Sequence, residues 1–293
     1  MLFKLSGRLL CYPVCLLCLL KPFISHSADI MTTTPVTLMI SQALTQNTGL
    51  TTQYLAPPRY GMLRLPNWFS GQQAALLKPA TSATVAVTLG AVWPSDPLYL
   101  ALRQHNIRII EVDATQALLP DGKGVVFQRI EQGVSPYVWL NSANLLTMTN
   151  IVSRDFQRIW PRQAKVIAQN EVQLLKQIQT LRLAQQRYVQ QHQLDAVVLL
   201  SPELEDLAAG LQLYVLARVY RPALEWTDAD KALLQQVLAD PSIKVMSTQA
   251  LSAQHPASEW LTTKQWWQVD AVDRLGRQGI NPNQPLARWQ FTL

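Results

Sequence analysis

The sequence predicts an α/β protein with two lobes, each a mainly parallel sheet covered by helices, joined by a long backbone helix. In the first half, the alternating, β-branched segment 83–89 (ATVAVTL) predicts a strand, and 107–112 (IRIIEV) predicts the next one. In the second half, 196–200 (AVVLL) and 243–246 (IKVM) predict strands separated by helical segments. Strands that alternate with helices at this spacing are typical of a parallel, helix-covered sheet.

The long helix is predicted from residues 162–193, which contain neither glycine nor proline. Apolar residues recur there at helical spacing, among them Ile167, Leu174, Ile178 and Leu181. Those 32 residues would form a rod of about 48 Å at about 1.5 Å per residue, which suits a connection between two lobes better than a single core. The predicted organisation is a signal peptide at 1–28, an N-terminal lobe at 29–160, a linking helix at 161–193 and a C-terminal lobe at 194–293.

The remaining elements follow from local patterns. A helix is expected at 37–48, a strand at 50–55 and a helix at 68–77, with the Pro57-Pro58 pair forcing an extended loop between them. The segment 203–219 is expected to be mostly helical. Thr227, with Asp230 three residues later, forms a predicted capping box that opens a helix. The segment 266–270 (WWQVD) predicts a short strand that ends at an acidic residue.

The first residues have the pattern of an export signal. Lys4 and Arg8 precede the apolar run 9–20 (LLCYPVCLLCLL), which is shorter than the roughly 20 residues that span a bilayer. A cleaved signal peptide is therefore expected, with a retained anchor as the alternative. All cysteines lie in this run, and none follows the small residue of a lipid-attachment site. The processed chain is expected to be periplasmic, with no lipid anchor, disulfide or thiolate.

Composition disfavours nucleic-acid binding and enzymatic activity. The whole chain has 25 basic and 19 acidic residues, and removal of Lys4, Arg8 and Lys21 leaves 22 against 19, or a net charge of +3. No clustered basic stripe is present, so nucleic acid is not an expected partner. The chain has no Gly-x-Ser-x-Gly elbow and no His-Glu-x-x-His motif, so it is not expected to be an enzyme. A hydrolase would need an exposed acid–base pair, which the sequence does not reveal.

Four segments together resemble a known family, the periplasmic solute-binding proteins of zinc and manganese ABC transporters. They are 54–58 (YLAPP), 135–145 (SPYVWLNSANL), the unbroken helix from Arg162, and 223–227 (ALEWT) with its capped helix and IKVM strand. The resemblance covers roughly residues 34–276. It implies a two-lobe fold, a monomer, a membrane permease of an ABC importer as partner, and a small solute or metal ion, Zn or Mn, as the transported ligand.

The resemblance also implies ligand positions, and most of them lack the usual residue. The family holds its ion with three histidines and a carboxylate. The histidine positions fall here on Met62 or Leu63, on Tyr137 and on Ser201, while the carboxylate falls on Asp270. Zinc prefers imidazole, thiolate or carboxylate ligands, so a tight zinc site of the usual kind is not expected. A weaker mixed site could be built from Asp270, Tyr137 and water.

The loop that follows the proline pair offers a different kind of ligand contact. Arg59 and Tyr60 could stack on a planar ligand and pair with its anionic groups. Alternatively, the aromatic residues of this loop dock on the first lobe and its arginines are solvated. Of the other acids, Glu203, Glu205 and Asp206 are expected to favour a helix start through the helix dipole, and Asp273 could pair with Arg274 or Arg277.

These observations lead to two functional hypotheses. The first is the periplasmic solute-binding component of an ABC importer, with a divalent metal or a metal chelate as solute and an atypical site without the family's histidines. The second is an accessory or interaction protein that kept the fold and lost solute binding. The second hypothesis predicts a tightly packed cleft and no stabilisation by any ligand.

Overall fold

The computed structural model describes residues 28–119, 122–131, 133–252, 254–261 and 265–291. The predicted signal segment 1–27 lies outside the described residues. The described chain has two four-stranded parallel sheets and a short antiparallel hairpin, and helices cover both sheets. The predicted fold class is therefore confirmed. None of the helices in the described ranges is both long and apolar enough to cross a membrane.

The first sheet has the strand order β2-β1-β3-β4, and all its neighbouring strands are parallel. Its strands are β1 (Ile30–Thr32), β2 (Thr52–Tyr54), β3 (Val85–Thr88) and β4 (Ile110–Asp113). Its helices are α1 (Pro35–Leu44), α2 (Leu65–Ser70), α3 (Gln73–Ser82) and α4 (Leu98–Arg103). The helix expected at 68–77 is divided into α2 and α3, because Gly71 ends α2.

A hairpin and two long helices follow. The hairpin consists of β5 (Arg129–Ile130) and β6 (Gly133–Val134), and the helices are α5 (Ser142–Ile159) and α6 (Ala164–Gln191). With 28 residues, α6 is about 42 Å long at about 1.5 Å per residue. Its buried side chains form the predicted apolar stripe, which packs against α5 and α1. The long connecting helix is thus confirmed.

The second sheet has the order β10-β9-β7-β8 and is also parallel. Its elements are β7 (Ala196–Leu199), α7 (Glu205–Gly210), β8 (Tyr214–Arg218), α8 (Asp228–Val237), β9 (Lys244–Ser247) and β10 (Trp266–Gln268). The predicted capping box is present, with Thr227 and Asp230 each accepting a backbone N–H of the other. The prediction that 203–219 is mostly helical was wrong. Helix α7 ends at Gly210, and Tyr214–Arg218 form the edge strand β8.

The segment 270–291, which we call the C-terminal strap, returns from β10 to the first lobe. The Trp139 indole N–H donates to the Ala271 carbonyl at 3.0 Å, and the Trp289 indole N–H donates to the Trp139 carbonyl at 3.1 Å. Further along, the Gly276 amide donates to the Pro58 carbonyl at 2.7 Å. One continuous cluster of buried side chains therefore runs through both lobes, while a smaller cluster lies in the second lobe alone.

Candidate interlobe site

Two carboxyl groups and two phenol groups interact electrostatically through the charge of Asp273. We call Tyr54, Tyr137, Glu203 and Asp273 the acid–tyrosine cluster. Tyr54 is the last residue of β2, Glu203 follows β7, and Asp273 follows β10, so three of the four lie beyond the carboxyl end of a parallel strand. Ligand sites of open α/β sheets gather at such strand ends. Tyr137 comes from the turn that precedes α5.

Asp273 links the four groups electrostatically, because its charge acts on Tyr54, Tyr137 and Glu203. The charges of Glu203 and Asp273 add to burial in raising the pKa of Tyr137 above its ordinary value. The charge of Asp273 likewise adds to burial in raising the pKa of Tyr54. The Asp273 carboxylate lies directly against Gly61, where a Cβ atom would collide with its Oδ2. The loop after β2 thus meets the loop after β10 without an intervening side chain.

Both carboxyl groups of the cluster are difficult to ionise. Burial raises the pKa of Glu203, and the neighbouring Asp273 charge raises it further. Burial also raises the pKa of Asp273, although the Arg274 guanidinium opposes this effect. The charge of Asp273 therefore disfavours ionisation of Glu203, and the charge of Asp270 disfavours ionisation of Asp273. A bound cation would relieve both penalties, so the cluster has the electrostatic character of a cation site.

The tyrosines contribute in a different way. Because burial and the nearby acids raise the pKa of both phenols, the phenols stay protonated at neutral pH. They can then donate hydrogen bonds to a carboxylate or a bound water, and they offer a neutral oxygen to a cation. The Tyr137 ring also packs on the Trp139 ring, with 5.2 Å between the ring centroids. The arrangement therefore favours a neutral Tyr137 over a phenolate.

Two other candidate ligands, Asp270 and Ser201, form hydrogen bonds with other residues of the protein. Asp270 forms a two-pronged ion pair with Arg288, at 2.8 and 3.1 Å, and its Oδ1 also accepts the Val272 amide. The Ser201 hydroxyl accepts the Thr248 amide at 3.0 Å and bonds the Thr248 hydroxyl. Both side chains have protein partners that a ligand would have to displace. Their proposed roles as ligands stay predictions.

The residues after the proline pair divide between core and surface. Met62 is fully buried in the hydrophobic core, so its sulfur is surrounded by apolar side chains. Arg59 is exposed, and its guanidinium lies over the Tyr60 ring at 5.3 Å from the centroid. Arg59 and Tyr60 therefore form a cation–π pair. That pair is available to a ligand.

Sequence patterns alone did not identify Tyr54, Glu203 and Asp273 as one group. The available signal was position, since Tyr54 lies at the end of a predicted strand and the two acids come three residues after predicted strands. Asp273 separates from Asp270 because Val272, between them, has a left-handed backbone with φ of 52°. This conformation is unusual for a β-branched residue. It turns the chain so that Asp270 reaches Arg288 while Asp273 reaches Gly61.

Among the described residues, no group of three or more histidine, cysteine, aspartate or glutamate side chains is arranged to hold a metal ion. The acid–tyrosine cluster supplies two carboxylates, and any further ligands would be phenol oxygen, backbone oxygen or water. A site of this kind is composed of oxygen alone. Such ligands suit hard cations better than they suit zinc.

Comparison with known proteins identifies the fold. No protein-family model matches the sequence, and no curated protein matches it. Among solved structures, a mutant of FpvC from Pseudomonas aeruginosa superimposes with a TM-score of 0.68 at 15% identity, over 89% of this chain and 94% of that chain. The metal-dependent lipoprotein YcdH from Bacillus subtilis gives 0.66 at 13% identity, over 86% and 90% of the two chains.

A third structure extends the same comparison. The Zn(II)-bound ZnuA-like domain of Streptococcus pneumoniae AdcA gives a TM-score of 0.62 at 15% identity, over 86% of this chain and 90% of that domain. The chain therefore has the two-lobe fold of metal-binding solute-binding proteins. The resemblance inferred from the sequence is confirmed at the level of the fold, over almost the whole described chain.

Proposed function

We propose that this protein is the periplasmic solute-binding component of an ABC importer, and that its solute is a divalent metal ion or a metal chelate. The shared fold supports this role, because structures with the same fold include FpvC in complex with Mn²⁺ and with Ni²⁺, and a ZnuA variant with bound zinc. In this role the protein performs no chemical step. It works as a free monomer without a lipid anchor, and delivers its solute to a membrane permease.

The acid–tyrosine cluster is the observation that carries the proposal. Glu203 and Asp273 are two partly buried carboxyl groups, and the pKa of each is raised. Without a cation, this arrangement costs free energy at neutral pH, since ionisation of each group is penalised by burial and by a neighbouring carboxylate. A divalent cation between Glu203 and Asp273 would convert that repulsion into coordination. Binding of the cation would remove the free-energy cost that the two carboxyl groups impose on the ion-free protein, and this gain is then the origin of the affinity.

The oxygen-only character of the cluster selects among cations. Zinc gains from imidazole and thiolate ligands, which the cluster does not offer. Manganese accepts carboxylate, carbonyl and water ligands in an octahedral shell, which two carboxylates, phenol oxygens and waters can complete. We therefore expect the preference for Zn²⁺ over Mn²⁺ to be smaller at this cluster than at a histidine-ligated site. Binding weakens as the pH falls, because protons compete for the two carboxylates.

The test measures thermal stability of the chain from residue 28 onward, with Mn²⁺ or Zn²⁺ added after treatment with a chelator. A cation at 100 times its dissociation constant should stabilise the protein by about 2.7 kcal/mol. Asp273→Asn and Glu203→Gln should each abolish the shift. The matched controls are Asp195→Asn and Glu225→Gln, which change exposed acids outside the cluster and should preserve it.

Two results would contradict the proposal. The first is an Mn²⁺ shift that persists in both cluster variants, because the cation would then bind elsewhere. The second is the lack of a shift with Mn²⁺, Zn²⁺, Fe²⁺ and Cu²⁺ in the unmodified protein at neutral pH. Metal analysis of the purified protein provides an independent measurement, since a tightly held ion would survive purification in the unmodified chain and be lost from Asp273→Asn.

The accessory or interaction protein is the second candidate, and one observation favours it. The two lobes share one hydrophobic core, and the C-terminal strap ties them together through Trp139, Ala271 and Trp289. A packed boundary leaves less room for a solute and restricts closure of the lobes. Under this alternative, none of the added metal ions stabilises the protein, which is the second contradictory result above.

A further inference from the structure

A cavity of about 1500 Å³ lies outside the acid–tyrosine cluster, between the C-terminal strap, the edge strand β10 and the end of α6. It opens to solvent on one side. The strap forms one wall of the cavity, and the side chains of Tyr188 and His192 from α6 contribute another. The cavity exists because the strap crosses back to the first lobe instead of packing flat on the second sheet.

One wall of this cavity is aromatic. The Tyr188 ring lies 5.1 Å from the Trp267 ring at an interplanar angle of 30°, and 5.4 Å from the Phe291 ring. Trp267 and Phe291 meet edge to face at 4.8 Å. The His192 ring also packs against Tyr188, with 4.4 Å between the ring centroids. These contacts hold the rings of α6, β10 and the strap in one rigid group, on which a flat ligand can stack.

The rest of the lining is strongly basic. Among the described lining residues there are five cationic side chains and one acidic side chain. The cationic residues are Arg59, Lys244, Arg274, Arg277 and Arg288, and the acidic residue is Asp270. Because Asp270 is paired with Arg288, the acid does not offset the remaining cations.

Three of the arginines can receive an anion. Within the described residues, Arg59, Arg274 and Arg277 have no carboxylate partner within ion-pair distance. Arg288, in contrast, is fully engaged, since it also donates to the carbonyls of Arg274 and Leu275. Guanidinium groups bind carboxylates in a planar, two-pronged geometry. The cavity therefore combines an aromatic wall with several unpaired planar donors.

We infer that this cavity binds a planar aromatic anion, such as an aromatic carboxylate. The ring system would stack on Tyr188 and Phe291, and the anionic group would reach Arg277 or Arg274. The cavity and the acid–tyrosine cluster differ in the sign of their charge. The basic cavity repels a free cation, whereas the acidic cluster attracts one. This inference does not depend on the proposed metal site, because no residue of the acid–tyrosine cluster lines the cavity.

The experiment uses titration calorimetry of the chain from residue 28 onward, in the presence of a chelator, with 1-naphthoate as the probe. Two related molecules separate the contributions. They are 1-naphthamide, which keeps the rings without the charge, and cyclohexanecarboxylate, which keeps the charge without an aromatic ring. We expect 1-naphthoate to bind at least ten-fold more tightly than either.

Variants locate the binding to this cavity. Arg277→Ala should weaken 1-naphthoate about five-fold and leave 1-naphthamide unchanged, since a partly solvated ion pair contributes up to about 1 kcal/mol. Phe291→Leu should weaken both ring compounds. Arg154→Ala, an exposed arginine on α5 outside the cavity, is the matched control and should have no effect. Circular dichroism checks that each variant is folded.

Three outcomes would overturn the inference. They are equal affinity for 1-naphthoate and 1-naphthamide, 1-naphthoate binding that Arg277→Ala does not alter, and no detectable binding of 1-naphthoate. Asp273→Asn separates this inference from the proposed function. If both hold, that variant loses the Mn²⁺ response and keeps 1-naphthoate binding.

Discussion

Asp206 provides a quantitative test of the electrostatics between the lobes. Its side chain lies in the first turn of α7 and is completely buried. Neither carboxylate oxygen has a hydrogen bond of standard geometry. Burial raises the pKa of Asp206 from 3.8 to about 6, and the charge of Glu205 contributes, while nearby Ser135 and the Gln128 backbone oppose the shift. The native state therefore holds a proton on Asp206 more tightly than the unfolded chain does.

The sign of the pH dependence follows from this shift. Because the pKa of Asp206 is higher in the folded protein, stability from this group is greatest below pH 4 and falls as the pH rises from about 4 to about 6. The difference of about two pKa units corresponds to about 3 kcal/mol at pH 7, at 1.36 kcal/mol per unit. Asp206→Asn keeps the shape of the side chain and removes the charge. We expect it to stabilise the protein at pH 7 by up to about 3 kcal/mol.

The assay is urea denaturation of wild type and Asp206→Asn at pH 7 and at pH 4. The stability gain of the variant should be largest at pH 7 and close to zero at pH 4, since the Asp206 carboxyl group of the native wild type is then protonated and carries no charge. Asp195→Asn, an exposed control, should change the free energy of unfolding by less than about 0.5 kcal/mol. A variant that is less stable than wild type at pH 7, or a gain independent of pH, would refute this reasoning.

Two further predictions concern the strap and the site. Trp139→Phe removes the N–H that donates to the Ala271 carbonyl and leaves that carbonyl buried without its partner. The variant should therefore be less stable than wild type by about 1–3 kcal/mol in urea denaturation. An unchanged urea midpoint would show that the strap adds no stability through this hydrogen bond. Gly61→Ala places a Cβ against Asp273, whose carboxylate can rotate away at small cost. Ion-free stability should therefore change little while the Mn²⁺-induced thermal shift is lost, and a retained shift would place the cation away from Asp273.

Most of the fold could be predicted from periodic patterns of apolar residues in the sequence. The apolar stripe of α6 and the alternation of strands with helices are local properties, and each appears in the structure close to its expected position. The capping box of Thr227 and Asp230 is equally local and was confirmed. The edge strand β8 was missed because its exposed residues and the preceding helix left no clear change of period in the sequence.

The candidate site was less accessible from sequence. Asp270 and Asp273 lie three residues apart in an irregular segment, where no repeat indicates the direction of a side chain. The left-handed backbone of Val272 sends them to different partners. Ser201 could be placed at a strand end, yet its bonds to Thr248 come from a residue 47 positions away.

The amino-acid sequence by itself determined the two α/β halves, the helix between them and the lack of histidines at the resembling positions. These features depend on the spacing of residues near one another in the chain. The tertiary structure alone decided that Glu203 and Asp273 share one poorly solvated place, and that the strap closes a basic, aromatic cavity. Both depend on contacts between distant segments, whose burial and mutual charge no local pattern records.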